Sequence, residues 1–265
     1  MKNIYIHTND DELSLKTKDR LLKLLNKNSF NVFDKFVKDV DVVIVIGGDG
    51  TFLNAIKEAN YYDALILGIN TGHLGFYADF TPDNLEEVID ICIKENYSIQ
   101  KCKTIKVELE TNNSTIILDP AVNDVFIKHG HSSIVHLDLF VGDEYIESFS
   151  GDGILISSSA GSTAYNYSLG GSIVDPRVNL LQITPVAPAN NSAYRSITSS
   201  LITPANEKIV VICKDKDNTI VVLDGNENII EDIKKITVTL SNEEIKIIRS
   251  SDYSFWNKVK SKFLQ

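Results

Sequence analysis

The run Gly47-Gly48-Asp49-Gly50-Thr51 follows the β-branched stretch Val42 to Ile46 and precedes a helical pattern. Glycines at such a turn let the backbone bend sharply and come close to a ligand. The free N–H groups that open the following helix then face a phosphate. No Gly-Lys-Ser/Thr follows, and the spacing is not G-x-G-x-x-G, so neither a P-loop nor the dinucleotide fingerprint is present. Asp49 is the unusual member, because a carboxylate beside phosphates repels them. Three jobs are open to it: capping the helix, binding Mg²⁺, or taking the proton of a hydroxyl that attacks phosphorus.

A second group runs from Gly151-Asp152-Gly153 through Ser157-Ser158-Ser159-Ala160-Gly161-Ser162-Thr163-Ala164-Tyr165 to Gly170-Gly171. Asp-Gly is a common hairpin turn, and that is the plain reading of Asp152. The small residues admit a flat ring close to the backbone, and Tyr165 offers an aromatic face and a hydroxyl. There is no G-x-S-x-G, so a serine-hydrolase elbow is not supported. Asn123-Asp124 opens the strand-like run Val125 to Ile127 and is either a turn or a pair suited to a ribose diol. Asp224-Gly225 reads as a hairpin tip. His129 and His131 fall on one face of a predicted strand, but no further ligand is spaced to close a metal site; with His73 and His136 they read as solvated or core residues.

The elements that must carry these residues change character along the 265-residue chain. Over residues 1–100 strand and helix signals alternate. Ile4 to Ile6, Val42 to Ile46 and Leu65 to Ile69 predict strands. Glu12 to Lys27, with Leu21, Leu22 and Leu25, predicts a helix, as does Thr51 to about Asn60. Thr81-Pro82 predicts a helix start, with Leu85, Val88, Ile89 and Cys92 on its apolar face. This is the pattern of a doubly wound, Rossmann-like α/β domain. From residue 101 to 247 short β runs follow one another (Ile105 to Leu109, Thr115 to Leu118, Ser133 to Val141, Gly153 to Ser157, Lys208 to Cys213, Thr219 to Leu223, Lys235 to Leu240), predicting an all-β, sandwich-like domain. Residues 248–265 hold Phe255, Trp256, Val259 and Phe263 at helical spacing, a helix expected to return to the first domain.

Composition narrows the function. Apolar residues make up 43% and charged residues 23%, so the chain is globular rather than disordered. The net charge of −10 opposes non-specific binding to nucleic acid or to an anionic membrane surface. No apolar run is long enough to span a bilayer, and the acidic first stretch does not read as a signal peptide. Three scattered cysteines, Cys92, Cys102 and Cys213, form no disulfide framework, which fits a reducing, cytoplasmic compartment.

Taken in order, the segments Gly47-Gly48-Asp49-Gly50-Thr51-Phe52-Leu53, Gly68-Ile69-Asn70-Thr71-Gly72-His73-Leu74-Gly75-Phe76, Asn123-Asp124, the block from Gly151 to Gly171, Thr184-Pro185-Val186-Ala187-Pro188 and the aromatic tail make the chain resemble the NAD kinases. Lipid kinases and phosphofructokinases carry related first loops; Gly161-Ser162-Thr163-Ala164-Tyr165 with its trailing Gly-Gly is the more specific part. A kinase of another alcohol and a non-catalytic dinucleotide sensor are the competing readings, and the presence of Asp49 stands against the sensor.

The resemblance implies phosphoryl transfer from ATP, or polyphosphate, to the adenosine-ribose 2′-hydroxyl of NAD, assisted by Mg²⁺ carried on the nucleotide phosphates, with no protein metal ligands assigned. It implies Asp49 as the general base, with Gly48, Gly50, Thr51 and Leu53 in the loop at the phosphates. Phe76 would pack near adenine and Asn123 and Asp124 would hold ribose hydroxyls. Asp152 would meet the nicotinamide end. Ser159, Thr163, Ala164 and Tyr165 would line the nucleotide pocket, with Ala187 and Tyr194 on its far side and Asp224 as an acid near the phosphates. It also implies a homodimer or homotetramer. This chain departs from the family pattern in Asp124 for the usual Glu, in Ser157-Ser158-Ser159-Ala160 for Ser-Thr-Pro-Thr, and in Ala189-Asn190-Asn191 for Pro-His-Ser. The last of these bears on the choice of donor and of NAD over NADH.

Overall fold

The computed structural model describes residues 2–59, 64–73, 75–131, 133–192, 194–214 and 219–264. The expected helix end at Asn60 and Leu74 of the second segment lie outside them. The chain forms two compact units, residues 1–101 with 245–265, and residues 102–244.

The first unit begins β1 (Asn3–Thr8), α1 (Glu12–Lys27), β2 (Asn31–Phe33), β3 (Val42–Ile46), α2 (Asp49–Glu58), β4 (Leu65–Ile69) and α3 (Leu85–Lys94). The strands lie in the order β2-β1-β3-β4, all parallel. All five residues of β3 are buried, as a continuous β-branched run must be when helices cover both faces of a parallel sheet. Leu21 and Leu25 of α1, and Leu85, Val88, Ile89 and Cys92 of α3, fill one core with Ile4, Ile44 and Leu67. The helix expected to start at Thr81-Pro82 starts instead at Leu85. The Asn84 side-chain oxygen accepts from the Thr81 N–H at 3.2 Å and its hydroxyl at 2.8 Å. The Asn84 N–H closes the turn on the Thr81 carbonyl at 3.0 Å. The Thr81 hydroxyl is therefore engaged by a turn, and the helix is displaced to the residue after Asn84.

The chain continues as β5 (Ser98–Glu110), β6 (Thr115–Ile117), β7 (Asp124–His129), β8 (Val135–Val141), β9 (Glu144–Gly151), β10 (Gly153–Ser158), a 3₁₀ turn (Ala160–Thr163), α4 (Tyr165–Ser168), β11 (Leu180–Val186), β12 (Leu201–Pro204), β13 (Ile209–Cys213), β14 (Thr219–Leu223), β15 (Asn226–Asn228), β16 (Lys235–Arg249) and α5 (Phe255–Phe263). Within the second unit one sheet runs β12-β11-β10-β7-β14-β15, wholly antiparallel. A second set joins β9, β8, β13 and the first half of β16. Their inner faces share one core, with Val125, Ile127, Ile154 and Ile156 from the first and Leu137, Leu139, Val211 and Ile236 from the second. The expected α/β plus sandwich-like β architecture is the observed one.

Three local expectations are corrected. β16 does not stop at Leu240 but runs to Arg249. The polar Ser241 to Glu244 hides its continuation, because those side chains are exposed or half-buried and alternate with nothing apolar. His129 is the last residue of β7 and His131 lies beyond it, so the two do not share a strand face; the His131 N–H donates to His129 Nδ1 at 3.0 Å. In α5, capped by the Ser254 hydroxyl, Phe255 is buried but Trp256 is exposed. A 3.6-residue period puts 255, 259 and 263 on one face and turns 256 away from it.

Candidate active site

In the first unit the loop Gly47 to Thr51 joins β3 to α2, with Gly48 as the N-cap residue and Asp49 already in the first helical turn. Asp49 stands one residue past this N-cap, which itself has no side chain to cap with. The two Asp49 carboxylate oxygens accept from backbone amides elsewhere: Oδ2 from the Phe76 N–H at 2.9 Å and Oδ1 from the Tyr77 N–H at 3.1 Å. A carboxylate has about four acceptor positions, so these two bonds fix its direction and leave room for a substrate hydroxyl. Gly75 makes the approach possible: a Cβ there would stand 2.8 Å from Asp49 Cγ and nearer still to Oδ1. Capping is thereby removed from the three jobs open to Asp49.

The segment that holds Asp49 is itself held by charge. The Arg249 guanidinium, 3% exposed, donates to the Phe76 carbonyl at 3.0 Å, the Tyr77 carbonyl at 2.9 Å and Asp79 at 3.0 Å. Lys258 of α5 donates to the Phe76 and Ala78 carbonyls at 3.3 and 2.5 Å and pairs with Asp79 at 2.5 Å. Burial pushes the Lys258 ammonium below its ordinary range, with the charge of Asp79 opposing the shift. The Phe76 ring lies between Phe255 and Phe263 of α5, at centroid distances of 6.2 and 5.7 Å. Phe52 of α2 stacks on Tyr77 at 4.8 Å. Gly50 is exposed, and Gly48, Thr51 and Leu53 are half-buried. Arg249, Lys258 and Asp79 escape a search for motifs; their signal is a charge set inside an apolar run or on the packed face of a helix.

In the second unit Asn123 and Asp124, 8% and 7% exposed, sit at the start of β7. Both φ values at Asp224 and Gly225 are positive, 47° and 82°, so the predicted hairpin tip between β14 and β15 is present. The tip also does something the sequence did not disclose. The Asp224 carboxylate accepts from the N–H groups of Val122, Asn123 and Asp124 at 2.7, 2.7 and 3.1 Å. It is a brace under the Asn-Asp pair. Behind that pair the Asn123 carbonyl accepts from the Ser158 N–H at 2.9 Å, and Gly161 packs directly on the Asn123 backbone.

The small-residue segment is a packed knot. Ser158 Oγ donates to the Val122 carbonyl at 2.7 Å and accepts from the Gly161 N–H at 3.1 Å. The Ser159 hydroxyl donates to the Val178 carbonyl. Buried Asn166 accepts from Thr184 Oγ1 at 2.7 Å and donates to the Ser162 carbonyl at 3.2 Å. Thr163 is buried, Ala164 half-buried and Tyr165 exposed, its ring edge-on to Phe126 at 5.8 Å. Asp152 is not in a hairpin. β9 pairs with β8, whereas β10 pairs with β7 and β11. Asp152 therefore sits, exposed, where the chain passes from one strand set to the other. Ala187 is exposed at a φ of 44°. Tyr194 lies 5.6 Å from the His136 ring, beside a groove lined by Glu147, Ser150, Arg195 and Lys214. Among the described residues no three His, Cys, Asp or Glu side chains converge as a metal site.

Burial, with the charge of Asp224 adding to it, pushes the Asp124 carboxyl up to about 7. In the unfolded chain it titrates near 3.9. Between those values the folded state holds a proton that the unfolded state has lost, so stability falls as pH rises from about 4 to 7. The variant Asp124→Asn escapes that penalty. Its melting temperature relative to the native protein should rise between pH 5 and pH 8, and a difference independent of pH would contradict the assignment.

A parallel α/β unit with an anchored carboxylate at a glycine-rich turn, followed by a β sandwich carrying a braced polar pair, defines a two-domain nucleotide-handling protein. Residues 4–97 match the model of the ATP-NAD kinase N-terminal domain, and residues 122–250 that of the ATP-NAD kinase C-terminal domain. The chain is 35% identical to an NAD kinase of Finegoldia magna, over 99% of its own length and 98% of that protein. It is 32% identical to NAD kinase 2 of Bacillus subtilis, over 99% and 98%. The chain belongs to the NAD kinase family. The fold is shared with yeast NADH kinase, solved in complex with NADH, at a TM-score of 0.87 and 22% identity, covering 100% of this chain and 87% of that one. It is also shared with an Archaeoglobus fulgidus NAD kinase in complex with ATP, at 0.81 and 21% identity, covering 99% and 98%.

Proposed function

We propose that this chain transfers the γ-phosphoryl group of ATP to the adenosine-ribose 2′-hydroxyl of NAD, giving NADP, with Asp49 as the general base. Full-length kinship to NAD kinases supports the reaction. The observation that carries the residue assignment is the Asp49 carboxylate, fixed by two backbone amides with acceptor capacity to spare. The 2′-oxygen attacks the γ-phosphorus in line as Asp49 takes its proton, the bond from that phosphorus to the β-phosphate oxygen breaks, and ADP leaves. The loop of Gly48, Gly50 and Thr51 offers its backbone to the phosphates, with Leu53 behind it, and Phe76 packs at the adenine.

Asn123 and Asp124 receive the ribose hydroxyls, and Asp224 acts by holding their amides rather than by meeting phosphate. Ser159, Thr163, Ala164 and Tyr165 bound the nucleotide pocket, with Ala187 and Tyr194 on its far side; Asp152 serves the nicotinamide end. Mg²⁺ would be held by the nucleotide phosphates rather than by residues of this chain, as suits a cation that keeps its waters and takes few protein ligands, and it would supply neutralisation of phosphate charge. No described helix is long and apolar enough to cross a membrane. The buried cysteines Cys92, Cys102 and Cys213 suit a cytoplasmic location. A homodimer or homotetramer completes the reading.

The test is an endpoint assay with purified protein, ATP, Mg²⁺ and NAD, read by an NADP-specific dehydrogenase. NADP should accumulate, and should fail to do so when EDTA replaces the cation. Folded protein that binds NAD yet forms no NADP would refute the activity.

A further inference from the structure

We propose that Lys258, on the C-terminal helix α5, is a positioning residue for phosphoryl transfer, acting on Asp49 through the peptide unit between Phe76 and Tyr77; this rests on the assignment of Asp49 as base. That unit is bonded at both ends. Its carbonyl, on Phe76, accepts from Lys258 Nζ at 3.3 Å and Arg249 Nη2 at 3.0 Å. Its N–H, on Tyr77, donates to Asp49 Oδ1 at 3.1 Å. In a trans peptide the two groups point in opposite directions. Cations on the oxygen therefore polarise the amide toward the carboxylate, and bonds linked in this way strengthen one another in a low-dielectric surrounding.

The arrangement exceeds what packing requires. Lys258 donates to the Phe76 and Ala78 carbonyls, on either side of Tyr77, and pairs with Asp79. Arg249 already pairs with Asp79 at 3.0 Å and caps the Tyr77 carbonyl, and Ser250 donates its N–H to the same carboxylate at 3.2 Å. Asp79 would keep these partners without Lys258. What Lys258 adds is a second cation on the carbonyl whose amide grips Asp49. It comes from a helix whose Phe255 and Phe263 also flank Phe76, so docking of α5 and orientation of the base are coupled.

The experiment is a double-mutant cycle between Lys258→Met and Asp49→Asn, with steady-state kinetics in ATP and NAD. In the native background Lys258→Met should lower kcat about tenfold, the scale of one charge-assisted hydrogen bond weakened in the transition state, with both KM values within about twofold. In the Asp49→Asn background the same change should cost less than about twofold, because the residue it acts through is gone. Lys258→Arg, which keeps the charge, should recover most of the turnover. Native kcat in Lys258→Met, or an equal loss in both backgrounds, would overturn the proposal and leave Lys258 a holder of α5. Near-normal turnover in Asp49→Asn would instead overturn the assignment of the base.

Discussion

Asp49→Asn should lower kcat by about 10²- to 10⁴-fold, the usual worth of a positioned general base, while the Kd for NAD stays within a few-fold of native. The substitution is isosteric and removes the group proposed to accept the 2′-hydroxyl proton. It leaves the loop backbone, residues 76–79 and the whole second unit in place. It is not silent in stability. One oxygen of the carboxylate becomes an NH₂ facing either the Phe76 or the Tyr77 N–H, both now bonded at 2.9 and 3.1 Å. A donor set against a donor costs on the order of 1–3 kcal/mol. Kinetics are therefore to be measured below the lowered melting point, with NAD binding followed by calorimetry on the same preparation. A variant that turned over at a near-native rate would show that Asp49 only anchors residues 76 and 77.

Much of this frame is legible from residue patterns. Glu12 to Lys27 is a helix with those ends, because Leu21 and Leu25 repeat at helical spacing between polar neighbours. Val42 to Ile46 and Leu65 to Ile69 are strands because short β-branched runs can be buried on both faces. The glycine-rich loop stands out because a carboxylate in a turn of the kind that can face a phosphate demands a reason. What escapes the patterns is partnership at a distance. Nothing local says that Asp49 turns to amides 27 and 28 positions away. Nor does a hairpin tip announce that its aspartate braces amides about 100 positions earlier. Asp152 looked like a hairpin because Gly-Asp-Gly is good turn chemistry; which strands then pair is decided by the sheets and not by the turn. The serines and small residues of 157–164 invite a ligand reading, and several of their hydroxyls are in fact engaged by backbone carbonyls of their own unit.

That engagement makes Gly161 the second position where a small change should have a large effect. An alanine Cβ at Gly161 would stand 2.5 Å from the Asn123 carbonyl carbon and 2.6 Å from its Cα, and closer to its oxygen. The obstacle is backbone, which cannot rotate aside. The Asn123 carbonyl is tied to the Ser158 N–H at 2.9 Å, and its N–H to Asp224 at 2.7 Å. Gly161→Ala must therefore push the Asn123-Asp124 pair off its brace or part the chain at Ser158. Overpacking of this kind costs about 1–3 kcal/mol and at times more, or about 2–4 °C of melting temperature for each kcal/mol in a chain of this size. The proposed ribose contacts move with the pair, so NAD affinity should fall at least tenfold. Gly170→Ala separates the two effects. At Gly170 a Cβ meets nothing within 4 Å, but its φ of 81° strains an L-residue, at a cost of about 1–2 kcal/mol. It should lose comparable stability while Asn123 and Asp124 stay in place and NAD binding stays near native. Equal loss of NAD affinity in the two variants would mean that binding tracks the stability of the second unit as a whole; native affinity in Gly161→Ala would remove Asn123 and Asp124 from the site.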